Sequence, residues 1–207
     1  MLLLVITVDV VMGPLITLVI FNRIKSHRYL QMDFAVVGLL QVAALSYGLW
    51  AVFVVRPVHL VFEFHRMAVV HAVDIDPAQL SQAPAGLQAL PLTRPTLLSL
   101  RHFKNADEQN HSIFQALTQG VAQATQPGLW QPYNAARADI LKESKPVVQL
   151  KARFPNQVAE IDSAVAKSGI QANNLSYLPL LAHKNAWTVV IDIATAQPVG
   201  FLPIDSF

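Results

Sequence analysis

The sequence predicts a membrane-anchored α+β protein: an N-terminal transmembrane helical hairpin followed by an extracytoplasmic α+β domain with an antiparallel sheet. Three observations carry this expectation. Two long apolar runs, Leu2 to Phe21 and Phe34 to Val55, flank a short basic segment. Residues 57–207 are mixed in composition and punctuated by proline, as a folded domain is. Near the C-terminus, one stretch rich in Leu with Tyr and one rich in Val and Ile with Trp are separated by a short polar turn, the pattern of paired strands.

The first run is broken only by Thr7, Asp9, Gly13, Pro14 and Thr17, and the second carries Gln41 and Ser46 as its most polar members besides Tyr47 and Trp50. A helix rises about 1.5 Å per residue, so either run crosses a hydrocarbon core about 30 Å thick. The predicted spans are 2–21 and 34–55, joined by a basic loop over 22–33 with Arg23, Lys25, His27 and Arg28. Short loops rich in Lys and Arg stay cytoplasmic. That rule places Met1 outside, the loop inside and everything after Arg56 outside, which in a bacterium is the periplasm. Trp50 and Phe53 suit an interfacial belt at the outer end of the second span. A cleaved signal peptide fits the first run poorly, since it lacks a charged start and no A-x-A-like site follows Phe21.

The chain holds 15 Lys and Arg against 13 Asp and Glu. The first 56 residues contain four of the basic and two of the acidic groups, which leaves the outer domain near neutrality. No basic stripe appears, so the composition argues against nucleic-acid binding. There is no cysteine, which excludes disulfides, thiolate metal sites and Cys nucleophiles; packing alone must hold the outer domain.

Along the outer domain, Val58 to Val73 reads as extended, with Leu60, Phe62, Phe64, Ala68, Val70 and Ala72 on one face. It starts directly after the second span, which puts this domain near the lipid surface. Asp74 to Pro95 is a proline-rich loop. A helix is expected from about Asp107 to Gln123, with Ile113, Leu117 and Val121 at i, i+4 and i+8 as its apolar face and Gly120 weakening its end. Gln126 to Tyr133 is turn-rich. Short helices are expected over Asn134 to Ser144, ending before Pro146, and over Asp162 to Lys167, stopped by Gly169. Tyr177 to Ala182 and Trp187 to Ile193 read as strands, followed by a turn over Ala194 to Pro198 and a last strand over Val199 to Leu202.

No catalytic motif is present: no G-x-S-x-G, H-E-x-x-H, P-loop or C-x-x-C. Asp107, Glu108 and His111 read as a solvated helix start. His59, His65 and His71 share strand parity, but six residues of strand span about 20 Å, too far for two of them to share one ion. The reading is a non-enzyme with no cofactor. A membrane-anchored sensory or ligand-binding domain is the alternative from the residues alone.

Asp9-Val-Val-Met-Gly-Pro-Leu-Ile-Thr-Leu-Val-Ile-Phe, the short basic loop, then Asp33-Phe-Ala-Val and Leu40-Gln-Val-Ala-Ala-Leu-Ser-Tyr-Gly form a distinctive string. With Arg56-Pro-Val, Val61-Phe-Glu-Phe-His-Arg, Tyr177-Leu-Pro-Leu, Trp187-Thr-Val-Val-Ile-Asp and Gly200-Phe-Leu-Pro-Ile-Asp, it resembles the type IV pilin accessory proteins of the TfpX/TfpZ kind. The match covers both ends and only loosely residues 75–175. Members usually carry one more span ahead of the segment that opens this chain, so the resemblance implies a missing first span with the orientation unchanged. It implies an inner-membrane, chaperone-like accessory factor whose partners are a type IV pilin subunit and the bilayer.

Asp9 is the leading candidate contact. A carboxylate inside a span costs roughly 2.5–3.5 kcal/mol on insertion scales and so faces a partner or a cavity. Pro14 removes a backbone donor and, with Gly13, makes the helix locally polar and kinkable. Asp9 either meets the pilin helix or pairs internally with Gln41 or Ser46. Asp9, Gly13, Pro14 and Gln41 are therefore the candidate partner-binding residues in the membrane. Trp187 is the candidate in the outer domain, where Trp187, Phe201 and Phe207 otherwise read as sheet packing.

Overall fold

Val, Leu, Phe and Met crowd residues 57–71, and in the computed structural model they form a hairpin rather than one long strand. The structure describes residues 27–182 and 185–207. Strand β1 (Pro57–Glu63) pairs antiparallel with β2 (Arg66–His71), and the turn between them is only Phe64-His65. Glu63 faces Arg66 across the turn, where the Arg66 Nε–H donates to the Glu63 carboxylate at 2.8 Å. The His65 amide donates to the Glu63 carbonyl at 2.6 Å, and Phe64 is thrown to φ +56°.

This turn corrects the single-face expectation. Across it Phe62 faces Met67 and Val61 faces Ala68, so neighbours in register share a side of the sheet. Leu60 and Phe62 belong to one buried cluster, and Ala68 and Val70 to another.

Among the described residues the sheet has eight strands. Further members are β3 (Thr96–Leu100), β4 (Trp130–Pro132), β5 (Lys145–Pro146), β6 (Leu175–Ala182), β7 (Asn185–Asp192) and β8 (Pro198–Leu202). Their order is β4-β3-β1-β2-β6-β7-β8, with β5 on β6. The expected antiparallel sheet is in fact mixed, because β3 lies parallel to β1 and β6 parallel to β2. The reason is which edge each strand joins. Segment 72–95 leaves β2 beside Pro57 and crosses the start of β1, so β3 begins there and runs parallel to β1; had it joined the outer edge of β2 instead, the same strand would be antiparallel to its neighbour.

Both faces of the sheet are covered. On one, Leu60, Phe62, Met67, Leu178, Leu180, Val189 and Ile191 pack under Tyr133, Ala136 and Ile140, the last of these from the helix over Arg137–Glu143. That cluster is tied by the Tyr133 hydroxyl, which donates to the Ala196 carbonyl at 2.7 Å; burial pushes the phenol's pKa up. The other face has two separate patches. Val58, Val61, Ala68, Leu98 and Leu100 pack with Ile75, Leu129 and Trp130. Leu175, Tyr177, Val190 and Leu202 pack with Val147, Leu150 and Ile161 from two further helices.

The helices are α1 (His27–Val54), α2 (Ala106–Gln119), α3 (Arg137–Glu143), α4 (Val147–Arg153) and α5 (Val158–Ser168). The chain divides into two units between Val55 and Arg56. In the first, Phe34–Val54 is the one described helix long and apolar enough to cross a membrane. Its apolar side chains, Leu39, Leu40, Leu45 and Leu49 among them, are exposed, as lipid-facing residues are. The other predicted span, 2–21, lies outside the described residues, so the hairpin is not described. Residues 27–33, expected within the basic loop, are already helical.

Candidate functional site

Helix α2 begins on good local chemistry. Asn105 caps it by accepting the Glu108 amide at 2.8 Å, and Glu108 reaches back to the Lys104 amide at 2.7 Å. Arg101, just past β3, clamps this start with two bonds to the Glu108 carboxylate, at 2.6 and 2.9 Å. Its guanidinium also donates to the Gly128 carbonyl at 2.9 and 3.2 Å. The Arg101 bond, with the Lys104 amide second, holds the Glu108 carboxyl down at about 2. The Asp107–Glu108–His111 group is thus a pinned helix start, with Arg101 the partner that sequence spacing did not reveal.

The far end is set by Gly120, which takes φ +68° and donates its amide to the Gln115 carbonyl. The expected helix to Gln123 therefore stops four residues early. Space around Gly120 is open, so a side chain there meets only backbone strain. Gly120→Ala is expected to destabilise the full chain in detergent by about 1 kcal/mol in urea denaturation.

Between these ends the helix is turned against its own pattern. Ile113, Phe114 and Leu117, expected to face the core, are 39 %, 60 % and 81 % exposed. The buried position is Ser112, and the buried Gln126 amide donates to the Ser112 carbonyl at 3.3 Å. A polar cleft of about 400 Å³ lies on that inner side, lined by Gln79, Gln82, Glu108 and Gln115 among others. Polar residues thus hold α2 to the domain while its apolar stripe faces out.

The stripe leads into a groove of about 720 Å³ at the hairpin end of β1 and β2. Phe62, Phe64, Leu100, Phe103 and Ile113 supply its apolar surface. The Phe64 and Phe103 rings are 5.4 Å apart and tilted at 39°, with His102 6.3 Å from Phe64. Phe64 is held in this stack by a positive φ, a conformation costly for a bulky residue. Along the α3 rim, His65 meets Glu143 at 2.8 Å and His102 meets Asp139 at 3.0 Å. These two contacts tie α3 to the hairpin tip and to the segment after β3. Lys142 stands between the two carboxylates in sequence and also lines the groove.

The groove is built for side-chain docking more than for chemistry. Its carboxylates are already paired with histidines, and its floor is aromatic and aliphatic.

Of the residues chosen from sequence, Trp187 belongs to the same unit as this groove and does not line it. Asp9, Gly13 and Pro14 lie outside the described residues. Gln41 is an exposed residue of α1, in the first unit. Trp187 is half-buried on β7, opposite Leu180, and packs on the cluster around Tyr133 and Ile140. Of the histidines, His59 is buried, His65 sits at the hairpin tip and His71 ends β2. The residues that form the groove were missed because five separate segments contribute them. A usable signal did exist in Phe64-His65 and His102-Phe103, two aromatic–histidine pairs at strand ends.

Over 187 residues the chain is similar to the fimbrial assembly protein of serogroup I from Dichelobacter nodosus, at 31% identity, covering 89% of this chain and 72% of that protein. The serogroup E1 protein of the same organism matches at 29% identity over the same shares. The protein of serogroups C1 and C2 matches at 33% over 76 residues, 37% of this chain and 58% of that one. No family model matches the chain, and no solved structure does.

Proposed function

Since the chain belongs to the family of fimbrial assembly proteins, we propose that it serves type IV pilus biogenesis as a membrane-anchored accessory factor without catalytic activity. The similarity that carries this reading extends over 89% of the chain and so takes in both the apolar helix and the folded domain. The partner is the pilin subunit, held or presented at the inner membrane before it enters the fibre. The basic residues before α1 put their side in the cytoplasm and the α+β domain in the periplasm. A factor that grips one partner both in the bilayer and beside it gains effective concentration for the second contact once the first is made. Asp9 is the membrane contact of this mechanism.

The test is deletion of the gene in its own host, with total pilin read by immunoblot and surface pili by shearing. Surface pili are expected to disappear and to return with the native gene but not with Asp9→Asn at equal abundance. A parallel fall in total pilin supports stabilisation of the subunit. Normal total pilin with bare cells supports presentation for assembly. Unchanged pili and pilin would overturn the reading.

A further inference from the structure

Helix α1 and the folded domain are joined by almost no chain. The Val55 amide still donates to the Ala51 carbonyl at 3.3 Å, and Pro57 already opens β1, so Arg56 is the whole of the connection. Two further segments meet at Arg56. The Ala72 amide donates to its carbonyl at 3.0 Å, and its Nε–H donates to the Pro91 carbonyl at 3.4 Å. Next in sequence to these two contacts are Val73 and Leu92, 57 % and 72 % exposed. We propose that Val73 and Leu92 dip into the lipid interface and hold this end of the domain on the bilayer from which α1 emerges. The inference rests on the membrane anchoring proposed above and names the part of the domain that meets the lipid.

Covalent reach selects lipid as the occupant. A single exposed leucine needs no explanation. These two side chains, however, each follow a residue bonded to Arg56, and Arg56 follows the last turn of the apolar helix. A span ends at the membrane interface. Whatever turn the chain makes at Arg56, its hydrogen-bonded neighbours stay close to that point. The hairpin tip, by contrast, lies about 20 Å along β1 from this corner, at the other end of a seven-residue strand.

Charge neither drives nor opposes the contact. Arg56 and Arg94 stand against Asp74 and Asp76, whose carboxylates accept the His71 and Ala78 amides. The attraction is therefore apolar burial, which acts on zwitterionic as on anionic lipid. Depth is limited by the backbone. Segment 91–95 is irregular, and irregular backbone does not enter hydrocarbon in contact with lipid. Only the side chains enter, as far as the boundary between headgroups and acyl chains.

The chain has no cysteine, so one introduced residue takes one label. The test puts nitrobenzoxadiazole on Leu92→Cys or Val73→Cys of the full chain in phosphatidylcholine vesicles, with doxyl groups near the top or the bottom of the acyl chain. Leu117→Cys, at a still more exposed apolar position on α2, is the control, and Leu45→Cys reports whether α1 lies in the bilayer. Labels at 92 and 73 are expected to lose about half their emission to the shallow doxyl, less to the deep one, and equally at high salt. The label at 117 is expected to lose none. Labels at 92 and 73 untouched by either lipid, with that at 45 quenched by the deep one, would overturn this contact and leave the anchor standing. Quenching at 117 as strong as at 92 would overturn the choice of this corner. No quenching at 45 strikes the anchor itself; quenching at 92 would then still support the contact, and its absence would overturn both.

Discussion

Trp130→Ala is expected to lower the unfolding free energy by about 3–5 kcal/mol, the largest loss from any single aromatic in the domain. Trp130 is 1 % exposed on the short edge strand β4, where Arg101 and Leu129 bring the chain back against β3. Its indole N–H donates to the Ala124 carbonyl at 2.9 Å, and its ring meets His59 edge-on at 4.7 Å. Alanine empties the corner between the loops after β2 and the sheet, and it strands that carbonyl as well. Trp130→Phe keeps most of the packing and loses the bond, so a smaller cost of about 1–3 kcal/mol is expected. Urea denaturation of the full chain in detergent, followed by near-ultraviolet circular dichroism, measures both. A loss below about 1 kcal/mol for the alanine variant would show that this corner is not packed as described.

The second large effect is acid destabilisation through His59. This side chain is 1 % exposed, shares its face with Val61 and Val70, and has no hydrogen-bond partner among the described residues at either ring nitrogen. Burial lowers its pKa from 6.5 to about 4. Above pH 6.5 the ring is neutral folded or unfolded and contributes no pH dependence. Between 6.5 and 4 the unfolded chain takes up a proton that the folded chain refuses, so stability falls as pH falls. The loss is about 2–3 kcal/mol by pH 4. His59→Phe removes the titrating group and both unpartnered nitrogens. It is expected to flatten this slope and to raise stability at pH 7 by about 1 kcal/mol or more. Equal slopes for the two proteins between pH 4 and 6.5 would exclude His59 as the cause.

What the sequence disclosed and what it hid differ by physical kind. The C-terminal strands were legible because Trp187-Thr-Val-Val-Ile-Asp is rich in β-branched residues and flanked by turn signals. Gly169 was legible as a stop, and it takes φ +68° at the end of α5. The turn after β1 was not, because Phe64-His65 lacks the Gly or Asn that a tight turn normally requires; the strain there is absorbed by the aromatic stack. Helix α4 was missed since Val147-Val-Gln-Leu-Lys-Ala-Arg is short and follows Pro146, which reads as a breaker yet precedes the first turn. The face of α2 was misassigned for a more instructive reason. Periodicity reveals that a helix has an apolar side, not which partner that side meets. The groove itself was beyond reach, since Phe64, Phe103, Ile113 and Glu143 become neighbours only when hairpin, β3, α2 and α3 are assembled.

The parallel seam at the centre of the sheet has a consequence for the order of events in folding. Met67, Ala68 and Val69 pair with Leu180, Leu181 and Ala182, partners more than a hundred positions later in the chain. On one side of that seam, β1, β2, β3 and β4 are all contained in residues 57–132; on the other, β5, β6, β7 and β8 are contained in residues 145–202. Each half has near neighbours to form with, whereas the junction must close a very long loop before it returns any energy. The first half therefore stands ready while the ribosome is still making the second, its β2 edge unpaired. Completion of the sheet requires β6, so closure of this seam is expected to be the slow step in folding, measurable as late protection of the Met67–Val69 amides in pulsed hydrogen exchange.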